Sequence, residues 1–256
     1  MIMTNLNIHN LSLSLLDENL VQEVSFSLQP GETIGIVGES GAGKSLLAHA
    51  IMNLLPHYIK RRATKMDFGS ENLMSFNEPQ WQQWRGDQFS MIFQEPMTAL
   101  NPLHTIGRQI SESILVHNPT AKDTNKRVLN MMERVGIKNP SKRMHDYPHQ
   151  FSGGQRQRIM IAMALINNPS VLIADEPTTA LDVTTQQQIL NLLSDLQKEL
   201  NLSIILISHD LFVVRSLSDR ILVMKDGQVL ENQPTKDLFK KPKHPYTKML
   251  LKKSTL

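Results

Sequence analysis

Cysteine is absent from the 256 residues. Disulfides are therefore excluded, and so are cysteine-ligated zinc and iron–sulfur clusters. The absence fits a reducing compartment. Long apolar runs are missing too: IMIAMALI (159–166) is among the longest and is far too short to cross a bilayer. No Lys or Arg precedes Lys44, so the N-terminus lacks the basic start of a signal peptide. These absences predict a soluble, intracellular protein. Charge of one sign is also scarce. A net charge of +3 and a pI near 9.1 fall short of the basic stripe of a nucleic-acid binder, and no nucleic-acid partner is expected. His49, His57, His104, His145, His149 and His244 have no metal-ligand spacing and read as structural residues. The 14 methionines read as core filler. Hydrophobic residues at 40% can build a core, and the length suits one sizeable α/β domain or a domain with a lobe.

What is present is concentrated in GESGAGKS (38–45). Gly38, Gly43, Lys44 and Ser45 match the phosphate-loop spacing, with Glu39, Ser40, Gly41 and Ala42 completing the loop. TIGIV (33–37) before it reads as a buried strand. KSLLAHAIMNLL after it reads as a helix with Leu46, Leu47, Ala50, Ile51 and Leu54 on one face. In that setting the glycines let backbone N–H groups approach phosphates, and the helix start adds partial positive charge. Lys44 would meet the β- and γ-phosphates, and Ser45 would offer its hydroxyl to Mg²⁺. The competing reading is a chance glycine-rich turn, which the strand and helix around it disfavour.

Strand and helix patterns alternate along the chain. NLNIHNLSLSL and VQEVSFSL predict short strands, and MDFGSENL a further hairpin. Residues 77–150 are more polar, carry Trp81 and Trp84, and predict helices in GRQISESILVH and KRVLNMMERVG; this segment reads as an inserted helical lobe. GQRQRIMIAMALI predicts a helix, VLIAD a strand, Asp182 to Leu200 a long helix, SIILIS a strand, and RILVMKDGQVLE a final strand pair. Such alternation predicts a mostly parallel sheet with helices on its faces.

Three further runs carry chemistry. VLIADE (171–176) is an apolar strand ending in two carboxylates, and burying charge without a partner is costly. Beside a phosphate loop the partner would be Mg²⁺, held by Asp175 through water, with Glu176 polarising the attacking water. The alternative is a strand that ends in two solvated acids. SIILISHD (203–210) puts His209 just past another strand, where it could reach a γ-phosphate or serve as an ordinary structural histidine. FSGGQRQR (151–158) opens a second helix, and Ser152, Gly153, Gly154 and Gln155 would offer N–H groups to an anion held by another subunit.

The order GESGAGKS, MIFQEP, FSGGQRQR, VLIADEPTTALD, SHD resembles the ATP-binding subunits of ABC transporters over almost the whole chain. Ser-Gly-Gly-Gln separates that family from other P-loop ATPases. The resemblance implies a P-loop NTPase core of mostly parallel sheet with flanking helices, an antiparallel β lobe and an inserted helical lobe. It implies one domain over 1–256, with the helical lobe at 77–150 and a basic tail at 234–256. It further implies ATP and Mg²⁺ as ligands. Lys44, Glu176 and His209 would then be catalytic: Lys44 on the phosphates, Glu176 as base and His209 as switch. Gln94 would touch Mg²⁺ beside Ser45 and Asp175, and Asp182 would lie in a loop that communicates across a dimer.

FQEPMTALNPLHTIG (93–107) and HPYTKMLL (244–251) resemble, more narrowly, the ATPases of oligopeptide, dipeptide and nickel importers. This implies a second, different ATPase subunit, two permease subunits and an extracytoplasmic binding protein, with the chain peripheral at the cytoplasmic face of the membrane. Glu95, Pro96 and Met97, together with the helical lobe, would receive a permease helix. There are departures. The cysteine-bearing tail of many such subunits does not carry over. Where many relatives place an aromatic on adenine, this chain has LSLSLL (11–16), with Leu13 or Leu15 in that position. Phe151 stands where Leu is commoner. The lysines at 236, 240, 241, 243, 248, 252 and 253 read as a solvated tail, or as a contact to an anionic leaflet.

Alternative functions are a peptide-exporter motor, a non-transport ABC ATPase in translation or DNA repair, and a P-loop kinase. The single motif set and the absence of a long coiled-coil insertion weigh against the second. The Ser-Gly-Gly-Gln run weighs against the third.

Overall fold

TIGIV and SIILIS lie side by side in a computed structural model of the chain, whose described residues are 4–16, 18–94, 99–179 and 181–254. Thr33–Val37 pairs in parallel with Ser203–Ser208 on one side and with Arg220–Lys225 on the other. Gln228–Pro234 adds to Arg220–Lys225 as an antiparallel edge. Every residue of Thr33–Val37 and Ser203–Ser208 is buried. Strands covered on both faces have no polar side, and so they read as unbroken apolar runs.

These strands belong to one of two compact units, Met1–Gln82 with Asn201–Leu256; Gln83–Leu200 forms the other. The first unit also holds an antiparallel sheet. Leu6–Leu15 is its centre, paired with Glu18–Leu28, Ile59–Arg62 and Lys65–Phe68, and Lys65–Phe68 pairs in turn with Glu71–Asn72. Leu6, Ile8, Leu11 and Leu13 face the core. The step from Ile8 to Leu11 breaks the two-residue period, because a bulge there lets Asn10 adopt a positive φ of 53° with its N–H on Ser25 Oγ.

Close approach explains one glycine in the parallel strands. A Cβ on Gly35 would lie 2.0 Å from Val214 Cγ1 and 2.5 Å from Ser218 Oγ. The helix Leu211–Leu217 therefore packs directly on strand backbone at this point.

The helix after the phosphate loop is shorter than its sequence predicts. It spans Lys44–Ile51, and Asn53 then turns left-handed (φ 52°) while the Leu54 N–H reaches back to the His49 carbonyl at 2.8 Å. Leu54 is consequently exposed instead of lying on the buried face, and Leu46 is half-buried.

The described part of 234–256, up to residue 254, differs from the expected solvated tail. Thr235–Lys240 and Pro245–Ser254 are helices. Leu238, Tyr246 and Leu250 join a core cluster with Val37, Leu211, Val214, Ile221 and Val223. The lysines are exposed while Leu238, Tyr246 and Leu250 among them are buried, which a count of charge does not reveal.

In the second unit Phe89–Ile92 pairs in parallel with Val171–Asp175. The segment 77–150, expected as a helical lobe, thus also holds a strand, which follows the helix Glu78–Trp84. Its helices Ile106–Leu115 and Thr124–Arg134 follow, with Ile106, Ile110 and Ile114, then Val128, Met131 and Met132, turned inward. Gly153–Leu165 and Val183–Leu200 complete this unit's long helices among the described residues. Met66, Met132 and Met224 are fully buried, in keeping with their reading as core filler. Among the described residues no helix is long and apolar enough to cross a membrane.

Gly35→Ala tests the strand–helix contact. Overpacking of this kind costs about 1–3 kcal/mol, so the variant's thermal midpoint should fall by several degrees, whereas Gly41→Ala, where a Cβ meets nothing within 4 Å, should lose only what its left-handed φ imposes.

Candidate functional site

The end of Thr33–Val37 delivers the chain into the loop 38–45. Gly38 lies so close to its neighbour that a Cβ would sit 2.2 Å from the Met224 carbonyl oxygen. Gly43 takes a left-handed φ of 93° and forms the N-cap of the helix Lys44–Ile51. That helix start has no side-chain cap and no acidic residue in its first turn. The partial positive charge of such a helix start suits an anion. Lys44 is buried at 6% exposure. Its ammonium donates to the Gly38 and Glu39 carbonyls at 2.8 and 3.0 Å, which holds a full positive charge against the loop. Backbone amides, an uncapped helix start and an oriented ammonium form a site suited to phosphate. Ser45 is the first-turn hydroxyl of this helix.

Glu39 is tied on both of its polar sides. Its N–H donates to Tyr246 Oη at 3.1 Å, and its carboxylate meets Lys253 Nζ at 2.9 Å. The Lys253 hydrogen bond and charge hold the Glu39 carboxyl below its ordinary value.

The strand Ser203–Ser208 is in register with Thr33–Val37, Ser208 opposite Val37, so both run out at the same edge. His209 follows at once. Asp210 caps the helix Leu211–Leu217 by accepting the Phe212 N–H at 2.7 Å, and its own N–H donates to Ser208 Oγ at 3.0 Å. This clasp fixes the backbone on which His209 sits. Exposed His209 lines a cleft of ≈ 330 Å³ together with Gly38, Glu39 and Ser40, beside Leu250 and Lys253. The histidine and the first residues of the phosphate loop, far apart in sequence, therefore share one opening.

The remaining sequence candidates belong to the second unit. Asp175 ends the buried strand Val171–Asp175 and is itself 4% exposed. Glu176 is half-buried with a positive φ of 48°, and its Oε2 accepts the Thr179 hydroxyl at 2.7 Å. A non-glycine residue in that region is strained, and such strain gathers at functional positions. Gln94 is exposed two residues beyond Phe89–Ile92, at the same C-terminal edge of the parallel pair as Asp175 and Glu176. Glu95, Pro96 and Met97 lie outside the described residues.

Ser152 behaves differently from the loop glycines. It caps Gly153–Leu165 in a reciprocal box, its Oγ accepting the Gln155 N–H while its own N–H donates to Gln155 Oε1 at 3.0 Å. The start of this second helix is thus partly satisfied from within. A Cβ on Gly153 would meet Leu181 only at ordinary contact distance, 3.7 Å, whereas one on Gly154 would sit 2.4 Å from Thr185 Cγ2. Asp182 caps Val183–Leu200 and accepts from the Thr185 hydroxyl and N–H at 2.6 and 2.9 Å. Those two bonds, the hydroxyl first, hold its carboxyl below the usual range.

One sequence candidate is corrected. Leu13 is fully buried, paired with Val21 and Arg61 in the antiparallel sheet, and cannot rest on a base. Leu15 is half-buried, and Leu16 is 85% exposed. Residues missed by sequence reasoning are Thr179, Tyr246 and Lys253. The His-Pro-Tyr run was visible as a family mark, but nothing in it indicated a bond to the phosphate loop.

The family model described as "ABC transporter" matches residues 21–179. The dipeptide transport ATP-binding protein DppD of Bacillus subtilis is 52% identical over 233 residues, covering 90% of this chain and 70% of that protein. The oligopeptide transport ATP-binding protein OppD of the same organism is 49% identical over 235 residues, 90% of this chain and 65% of that protein. The peptidoglycan transport ATP-binding protein YejF of Agrobacterium fabrum is 49% identical over 233 residues, and there the chain spans 43% of the relative's length. Among solved structures, the dimeric bacterial ABC transporter cassette MJ0796 matches with a TM-score of 0.76 at 27% identity, over 90% of this chain and 98% of that one. The same cassette in a post-hydrolysis state bound to ADP and Pi matches with a TM-score of 0.75 at 28% identity, over 91% and 99% of the two chains.

Leu15→Tyr and Leu13→Tyr separate base contact from core packing. A stacked aromatic contributes about 1–3 kcal/mol, so Leu15→Tyr should tighten purine-nucleotide binding in a titration. Leu13→Tyr should instead lower the melting temperature and gain no affinity, because its site is already filled.

Proposed function

This chain belongs to the ABC transporter family, and on that premise we propose that it is the ATP-hydrolysing subunit of a peptide importer. One observation carries the reading most directly: the uncapped, acid-free start of Lys44–Ile51, faced by the Lys44 ammonium, is built for the phosphates of ATP. The dipeptide and oligopeptide transport names of relatives at 49–52% identity favour peptides over nickel chelates.

In this reading Gly38 to Ser45 bind the triphosphate. Ser45, Gln94 and Asp175 would hold Mg²⁺, a set of hydroxyl, amide and carboxylate oxygens suited to that ion, which neutralises phosphate charge when bound. Glu176 accepts a proton from water as the water oxygen bonds to the γ-phosphorus and the bond to the β–γ bridging oxygen breaks, leaving ADP and phosphate. His209, at the rim of the loop's own cleft, senses the γ-phosphate. Ser152, Gly153, Gly154 and Gln155 complete the site of a second ATPase subunit, and Asp182 lies along the same interface. Two such subunits closing and reopening would drive two permease subunits fed by an extracytoplasmic binding protein, with this chain at the cytoplasmic face of the membrane. The pair is expected to be a heterodimer.

Glu176→Gln should leave ATP affinity within a few-fold of wild type and lower turnover in the assembled transporter by about 10²–10⁴-fold. Lys44→Ala should lose binding as well. Hydrolysis by Glu176→Gln at the wild-type rate would remove Glu176 as the base.

The dimeric site has its own test. Gly153→Asp has room for a side chain in its own subunit, and it puts a negative charge where the partner's γ-phosphate belongs. It should impair hydrolysis at the partner's loop and leave nucleotide crosslinking to this chain intact. Full turnover by the isolated, dilute chain, insensitive to Gly153→Asp, would favour a stand-alone ATPase or kinase.

A further inference from the structure

The run His244-Pro245-Tyr246-Thr247 takes no part in the chemistry above, yet each of its residues has a task. His244 Nδ1 accepts the Tyr246 N–H at 3.1 Å, and Pro245 opens the last helix. Thr247 is fully buried and donates its hydroxyl to Glu231 Oε2 at 2.6 Å. Glu231, itself buried, also accepts the Lys243 and His244 N–H groups at 2.8 and 3.0 Å and the Gln233 side-chain amide. Burial alone would raise its pKa; the bonds from Thr247, Lys243, His244 and Gln233 outweigh burial and hold it below the usual glutamate value. A charged and saturated carboxylate thus fixes where the last helix begins.

From that anchor the helix presents Tyr246, Leu250 and Lys253 on one face, at spacings of four and seven from Tyr246. Tyr246 and Leu250 are buried in the cluster with Val37 and Val223, and the Lys225 ammonium lies 5.2 Å from the Tyr246 ring centroid. The phenol oxygen accepts the Glu39 N–H. That N–H belongs to the same planar peptide unit as the Gly38 carbonyl. The carbonyl of this unit accepts from Lys44 Nζ at 2.8 Å while its N–H goes to Tyr246. The peptide cannot rotate without breaking both bonds. The Glu39–Lys253 ion pair is exposed and by itself contributes little, so the partly buried Tyr246 bond carries the tie.

We propose that Tyr246 is a positioning residue for nucleotide binding: the last helix braces the Gly38–Glu39 peptide and so holds the Lys44 ammonium in place at the phosphate loop. The proposal rests on the reading of residues 38–45 as the ATP site. A loop already held costs less to order when the phosphates arrive.

Tyr246→Phe removes one oxygen and keeps the buried ring. In the purified full chain, loss of one hydrogen bond should weaken Mg-ATP binding about three- to tenfold. The Glu39 amide should also exchange faster with deuterium in nucleotide-free protein, with little change in melting temperature. Lys253→Met should have a smaller effect in the same direction. Lys44→Ala is the control for the site itself. If it binds Mg-ATP like wild type, the ATP-site reading fails. If Lys44→Ala abolishes binding while Tyr246→Phe keeps wild-type affinity and Glu39 exchange, the brace alone is overturned. A Tyr246→Phe variant that melts earlier but binds Mg-ATP with wild-type affinity would also overturn it, because the tyrosine would then serve only the fold.

Discussion

Burial of Thr33–Val37 on both faces is the constraint from which the described site follows. A strand with no exposed side can leave the sheet only at its ends, and its C-terminal end is where the chain must turn. That turn is the phosphate loop. The parallel neighbours Ser203–Ser208 and Arg220–Lys225 end at the same edge, which brings His209 and the Met224 carbonyl to the loop. Gly35 and Gly38 mark where this arrangement becomes so tight that backbone meets backbone or helix directly.

Two helix starts illustrate how similar sequence gives different chemistry. One follows a glycine and the other opens on two, and any helix start offers amides that its own carbonyls do not take. Gly43 provides no side chain, so the helix Lys44–Ile51 keeps its positive end for a ligand. Ser152 closes a reciprocal box with Gln155, so Gly153–Leu165 is stable without one. The first is suited to an anion, and the second is held by its own side chains.

Much of this was legible from one-dimensional pattern. The buried strands TIGIV, VLIAD and SIILIS, the amphipathic helices after 105 and 123, and the final strand pair are each encoded by local period and by turn residues. Phe89–Ile92 was less legible. Four residues are too few to establish a period, and its strand character comes from pairing with Val171–Asp175, distant in sequence. The ending of the phosphate helix at Ile51 depended on Asn53 turning left-handed, a conformation that composition only permits. Lysine-rich 234–256 looked like a solvated tail because charge dominates its composition; the widely spaced Leu238, Tyr246 and Leu250 acquire meaning only when a core exists to receive them.

The sequence by itself determined the chemistry available at the loop. The spacing of Gly38, Gly43, Lys44 and Ser45, and the carboxylates closing VLIADE, are properties of neighbouring residues, and neighbours stay neighbours in any fold. Tertiary structure alone decided which residues are buried, which are strained and which distant groups meet. Leu13 was removed from consideration by burial, and Glu176 was shown to be strained and bonded to Thr179. Tyr246 was joined to a peptide 207 positions earlier. Such contacts depend on where a helix anchored at Glu231 happens to lie against a strand, and no local rule of spacing carries that information.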